Sequence, residues 1–415
     1  MMALAQGIAG LVVFTALAWV MSENRTRVSI RLIAVGVGLQ LATGWVLLKV
    51  PVFQRLFLGL NRVVLALEAS TKAGTSLVFG YLGGGPLPFE TNVPGSSFIL
   101  AFRALPLVLV ISALSALLFY WKILPRVVQG FAWCLKKTMR IGGTEGLGVA
   151  ANVFVGMIEA PLFIRPYLMQ MTRSELFTLM TAGMATIAGT VMVLYASILS
   201  TVIPGVMGHI LTASIISVPA AILISKIMIP ETKPLTGGEL RSPVAAHNAM
   251  DAVTQGTLQG VSLLINIVAM LVVLVAFVHL INMILGLLPK WAEAPVTLQR
   301  ILGALMAPVV WLMGVPWPEA PAAGSLLGTK TILNELIAYL EMSRLDPDVL
   351  GVHTKVIMTY ALCGFANPGS LGIMIGGLGT MAPERRSEIV SLGFRSIVAG
   401  TLATCMTGAV VGIIT

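Results

Sequence analysis

Over residues 258–288 the chain runs without a single Asp, Glu, Lys or Arg, and no other feature limits its fold so severely. Roughly 20 apolar residues are enough to cross the ~30 Å hydrocarbon layer of a bilayer as a helix. Comparable runs recur at about 5–21, 32–48, 98–121, 175–202, 210–229, 355–381 and 388–414. In lipid every backbone polar group must find its partner inside the protein, so runs of this kind are helices. Composition agrees, since 57% of the 415 residues are hydrophobic and 10% are charged, against about 25% charged in soluble domains. A water-soluble globular fold is excluded. The fold class is an all-α polytopic membrane protein with about eight transmembrane helices.

The net charge of +9 does not signal a nucleic-acid partner, because the basic residues are dispersed beside apolar runs instead of forming one stripe. They follow the positive-inside pattern. Arg25, Arg27, Arg31, Lys122, Arg126, Lys136, Lys137, Arg140, Arg165, Arg173, Lys226, Lys233, Arg241, Arg385, Arg386 and Arg395 are all assigned to the cytoplasmic side. Both termini then lie outside, in a cell (inner or plasma) membrane. The assignment stays consistent if two Gly- and Pro-broken apolar regions, 146–167 and 298–342, each enter and leave on one side. They are read as two opposed re-entrant hairpins. Helical spacing of apolar residues over 52–68 predicts an interfacial helix, and 122–140 an amphipathic one. The first apolar run has no basic residue before it and is read as a retained span, not a leader. Three cysteines without C-x-x-C spacing are packing residues.

Two halves of the chain echo each other. Gly156-Met157-Ile158-Glu159 is followed by Met180-Thr181 and Ala188-Gly189-Thr190, while Asn334-Glu335 is followed by Met358-Thr359 and Pro368-Gly369-Ser370. An inverted repeat with interrupted helices meeting near mid-membrane is the pattern of secondary transporters. Glu159 and Glu335 carry the chemistry, since a carboxylate in lipid costs several kcal/mol and is retained for a pathway or a partner. Glu145 and Glu341 fit an internal salt bridge or an interface anchor better. Around Phe365 to Ser370, Asn367 and Ser370 offer hydrogen bonds to a polyhydroxylated ligand and Phe365 offers a flat apolar face. Asn152 and Thr186 are oxygen donors at interruptions, suited to a hard cation such as Na⁺. The four histidines lack metal-ligand spacing, and phosphate-loop, nucleophile-elbow and zinc-protease patterns are all missing. An enzyme is therefore disfavoured, no cofactor is expected, and the competing class is a passive pore.

The strings GMIEAPLFIRPYL, LNELIAY and YALCGFANPGSLGIMIGGL, with the PETKP loop and MAPER at Met381, resemble the concentrative nucleoside transporters from about residue 142 onward. The resemblance implies a homotrimer whose protomers each have eight spans, two hairpins and a nucleoside site, and which moves substrate by an elevator-like motion driven by a cation gradient. It implies that Gly156, Met157, Ile158 and Glu159 face the nucleobase and that Val191 lines the pocket. Glu335, Asn367 and Ser370 would bind ribose hydroxyls, with Phe365 against the nucleoside. Asn152, the Val155 carbonyl, Thr186 and the Ile187 carbonyl would hold Na⁺, with H⁺ the alternative coupling ion. Met157 and Ile158 stand where the family often has Gln and Thr or Ser, which leaves pyrimidine against purine preference open. Residues 1–141 would be mostly scaffold, 142–230 the first transport repeat, 231–290 a cytoplasmic loop with a scaffold and trimer span, and 291–415 the second repeat.

Overall fold

Helices are how these apolar runs satisfy their own backbones, and the computed structural model, described over residues 2–89, 98–200, 202–237, 246–290 and 295–415, holds α-helices and no strand among them. In chain order they are α1 (Met2–Val20), α2 (Ile30–Lys49), α3 (Pro51–Phe79), α4 (Leu100–Arg103), α5 (Leu107–Tyr120) and α6 (Ile123–Met139). Next come α7 (Gly143–Asn152), α8 (Glu159–Leu162), α9 (Arg173–Ala185), α10 (Gly189–Leu199), α11 (Val206–Met228) and α12 (Ala249–Leu285). The last six are α13 (Leu298–Trp311), α14 (Ala320–Ile332), α15 (Glu335–Arg344), α16 (Val352–Leu362), α17 (Pro368–Met381) and α18 (Arg386–Ile414).

Seven helical stretches among the described residues are long and apolar enough to cross a bilayer. The eighth expected run, 355–381, is divided into α16 and α17, each too short alone. The division has a local cause. Pro368 has no N–H to give to α16 and suits the first turn of a new helix, which Asn367 caps by accepting the Ser370 N–H at 2.8 Å. The run from 173 to 199 is interrupted likewise, because Thr186 is extended (φ −119°, ψ 169°) and α10 restarts at Gly189. The two breaks touch: a Cβ on Gly364 would stand 2.8 Å from the Met184 carbonyl oxygen, so glycine there lets the interrupted helices cross.

The helix order of α5 to α11 recurs in α12 to α18. In each series an apolar helix leads to an amphipathic one, then a hairpin of two short helices, a broken span and a long final helix. Two expectations change here. The broken region 298–342 is not one hairpin, since α13 is a separate helix lying along α14 and the hairpin proper is α14 with α15. The interfacial helix expected over 52–68 continues to Phe79. The bundle's centre is α11, α18 and α9, buried along most of their length, with α1 and α2 laid on α11 and α18. By contrast α12 packs chiefly on α5 and leaves Leu258, Ile265, Val272 and Phe277 exposed.

Charges gather at one end. Glu23, just past α1, binds Arg173 at 3.0 Å and also Arg395 of α18, and Arg385 donates to the Leu168 and Met171 carbonyls. Gly7 lies beside Ile413 at the other end, so α1 and α18 run antiparallel and both ends of the chain face the same way. Lys226 departs from its expected place in a loop. It is buried in α11, 3.0 Å from Glu145 and 3.2 Å from Glu231, and this gives Glu145 the salt bridge read for it. Arg241 lies outside the described residues.

Candidate functional site

Gly156, Met157, Ile158, Glu159, Val191, Glu335, Phe365, Asn367 and Ser370 all line one cavity of about 380 Å³. Two hairpin tips and two helix breaks converge there. Glu335 is the first residue of α15, and its carboxylate accepts from Tyr195 Oη at 2.6 Å and from Asn367 Nδ2 at 3.1 Å. Asn367 thus uses its oxygen to start α17 and its amide nitrogen to fix Glu335. The carboxylate keeps lone pairs for further donors, and its backbone position at a helix start suits its charge. Ser370 lies one turn on and lines the same cavity.

The opposite wall is the first hairpin tip. Gly156 has φ +123°, and a Cβ there would stand 2.8 Å from Glu159 Oε2 and 2.9 Å from Ala188 Cβ, so the tip needs glycine both for its backbone and for its closeness to the break. Glu159 starts α8 with its side chain open to the cavity. Among the described residues neither of the two glutamates is tied to an arginine.

Behind that tip lies the expected ion position. The Gly189 N–H donates to the Phe154 carbonyl at 3.2 Å, which closes the tip onto the break between α9 and α10. Asn152 is buried, its Nδ2 donates to the Gly148 carbonyl at 3.2 Å, and its Oδ1 has no partner among the described residues. Thr186 Oγ1 donates to the Ala182 carbonyl at 2.8 Å and keeps its lone pairs. Among the described residues the Val155 and Ile187 carbonyls accept no backbone hydrogen bond outside the helices. An orphaned buried oxygen costs about 1–3 kcal/mol, and a cluster of neutral oxygens at a helix C-terminal end fits a hard monovalent cation. Among the described residues no trio of His, Cys, Asp or Glu is placed to hold a metal.

A second cavity of about 580 Å³ shares Glu159, Thr190, Gln259 and Leu263 with the first and reaches Lys122 and Arg126. The two cavities adjoin at these four residues, and the second lies toward the basic segment that opens α6.

Known proteins share this arrangement. Profiles described as Na⁺ dependent nucleoside transporter N-terminus and C-terminus match residues 9–82 and 209–412, and one described as nucleoside recognition matches 101–202. An uncharacterized transporter of Haemophilus influenzae is 37% identical over 421 residues, 99% of this chain and 98% of that one. The nucleoside permease NupC of Helicobacter pylori is 32% identical over 98% of this chain and 96% of its own. The structure of CNTnw in an inward-facing substrate-bound state is 34% identical and superposes with a TM-score of 0.91 over the whole of both chains. The chain belongs to the concentrative nucleoside transporter family.

As a concentrative nucleoside transporter it is a multi-pass membrane protein and not an enzyme. The transporter's cavity also holds residues that the sequence did not single out. Tyr195 reads as core aromatic in an apolar helix, and its partner is 140 positions away. Gln259, Ser262 and Asn266 reach the cavity from α12. With Gln255, which lines the adjoining cavity, they recur at helical spacing in an otherwise apolar run, and that polar stripe was the available signal.

Proposed function

We propose that this transporter imports nucleosides such as uridine by symport with Na⁺. The observation that carries the reading is the convergence of nine residues from two hairpins and two broken helices on one cavity. Its volume suits a small ligand. Glu335, Asn367 and Ser370 supply donors and acceptors for ribose hydroxyls, and Phe365 and Val191 supply apolar contact. At the base end Met157 and Ile158 bring no polar atoms, so Glu159, Gln259 and Asn266 are the groups left to meet the base. Na⁺ takes Asn152 Oδ1, the Thr186 hydroxyl and the Val155 and Ile187 carbonyls, which joins the first hairpin to the first break and prepares the wall that substrate touches.

Eight spans and two opposed hairpins are the topology we favour, with both termini outside. The pairing of α5 with α12 supports a fixed scaffold, along which the hairpins and broken spans travel as an elevator. In this division 142–230 and 291–415 carry substrate, α13 travelling with the α14 it lies along, and α12 within 231–290 is the post. The packing of α1 and α2 on α11 and α18 supports placing them with the moving body, although the rest of 1–141 stays with the scaffold. The exposed apolar face of α12 supports its use as the contact of a homotrimer. The adjoining cavity that reaches Lys122 and Arg126 is where the inner release route would run.

In proteoliposomes an inward Na⁺ gradient is expected to raise labelled uridine accumulation, and Glu335→Gln to reduce it by about tenfold or more, the cost of weakening charge-assisted hydrogen bonds. Equal accumulation without a gradient and in the variant refutes both the coupling and the site. Accumulation that follows a proton gradient in the absence of Na⁺ refutes the ion assignment alone.

A further inference from the structure

Lys330, two residues from the end of α14, has no exposed surface. Its Nζ donates to the Ala361 carbonyl at 2.9 Å and to Thr404 Oγ1 at 2.8 Å. Among the described residues no carboxylate stands within ion-pair distance of it. Lys226, the other buried lysine, sits between Glu145 and Glu231. An ammonium removed from water without a counter-ion is costly, so its surroundings must supply negative potential in another form. Ala361 lies in the last turn of α16, where unpaired carbonyls carry the negative end of the helix dipole. The break at 363–367 turns that end into the protein instead of toward water.

The first half of the chain builds the same junction. α7 ends at Asn152 beside the C-terminal end of α9, as α14 ends beside the C-terminal end of α16. In the first half the junction presents an amide oxygen with no hydrogen-bond partner among the described residues. In the second half it presents an ammonium already in place.

We propose that Lys330 is a tethered coupling cation: its ammonium fills permanently, at the second junction, the position that Na⁺ fills reversibly at the first. The assignment rests on the Na⁺ reading of Asn152 and Thr186 given above. It follows that α17, with Asn367 and Ser370, is held ready for ribose in the absence of any ion. Only the first hairpin and its break wait for Na⁺, and each protomer takes up one cation per nucleoside.

Two measurements test this. Amide hydrogen exchange on the full-length wild type is expected to show residues 186–192 gaining protection when Na⁺ is added, while 363–371 stay equally protected with and without it. Na⁺-dependent protection of 363–371 as large as that of 186–192 overturns the assignment. If 186–192 do not respond to Na⁺ at all, the ion position falls and this proposal with it. In proteoliposomes the wild type is expected to titrate with a Na⁺ Hill coefficient of about 1. Lys330→Met keeps the bulk, removes the charge, and is expected to cut uridine uptake about tenfold or more at saturating Na⁺. Lys330→Ala leaves a hole lined by a carbonyl and a hydroxyl, and high Na⁺ is expected to restore uptake with a coefficient approaching about 2. Wild-type behaviour of Lys330→Met, or a slowed Lys330→Ala that still titrates with a coefficient of about 1, overturns the proposal.

Discussion

Replacing Tyr195 by phenylalanine removes one oxygen atom and leaves the ring packing almost unchanged. That oxygen donates to Glu335 Oε1 at 2.6 Å inside the protein, and a hydrogen bond to a buried charged group contributes about 1.5–3 kcal/mol, or roughly 10- to 150-fold in an equilibrium. Asn367 still holds the other carboxylate oxygen at 3.1 Å, and Glu335 can turn toward the cavity for solvation. Both effects point to the low end of the range, a loss of about 10- to 30-fold in nucleoside affinity. The assay is titration calorimetry of purified Tyr195→Phe with uridine at saturating Na⁺, repeated with 3′-deoxyuridine. If the tyrosine aims the carboxylate at ribose, the variant loses affinity for uridine and also discriminates less against the deoxy compound. A merely structural role lowers the unfolding midpoint and leaves that discrimination intact. Uridine affinity within about twofold of wild type, with unchanged discrimination, refutes the argument, because a charge-assisted bond of this length cannot be lost so cheaply.

Other outcomes can be checked in the same preparations. Thr186→Ala is expected to shift the Na⁺ titration of uptake to higher concentration by about tenfold while uridine affinity at saturating Na⁺ stays nearly constant, because one neutral oxygen is lost from the ion. Lys226→Met strands buried Glu145 and is expected to cost about 3–5 kcal/mol, read as a lowered unfolding midpoint, with partial recovery in the double variant with Glu145→Leu. Acid stability involves Glu23. Burial acts to raise its carboxyl, but Arg173 and Arg395 outweigh that and hold it below the usual carboxylate range. A depressed folded value gives stability that is full above the unfolded value of about 4.3 and is lost as pH falls through the folded one. The unfolding midpoint of Glu23→Gln is therefore expected to fall less between about pH 5 and about pH 3 than that of the wild type, as followed by thermal melts.

What the sequence disclosed was what local chemistry dictates. A proline or glycine beside a hydroxyl interrupts a helix wherever it falls, and a carboxylate in an apolar run needs a polar neighbour, so the breaks, Glu159 and Glu335 were visible without coordinates. The joint lining of one cavity by residues from 156 to 370 depended on the family likeness, since nothing local ties those segments together. Tyr195 stayed hidden because an aromatic in an apolar helix looks like core until its distant partner is known. Lys330 was hidden for a related reason: its acceptors are 31 and 74 positions away. α13 was folded into the hairpin because Pro308 and the prolines after it read as continuous breakers, whereas Pro308 lies inside the helix, near its end. Lys226 counted as a loop charge because its acid partners lie at 145 and 231, beyond the reach of a local pattern.

The 37 residues of α12 measure about 55 Å as a straight helix, far more than the ~30 Å of hydrocarbon it crosses. Its polar side chains from Gln255 to Asn266 occupy only about 16 Å of that length, and beyond them the cavity side turns to Met270 and Leu274. Any cargo that slides along this post over a comparable distance must exchange amide neighbours for methyl and thioether ones. The two ends of the journey then cannot grip a hydrophilic passenger equally, and a difference in hold between loading and discharge is written into a single helix that need not move.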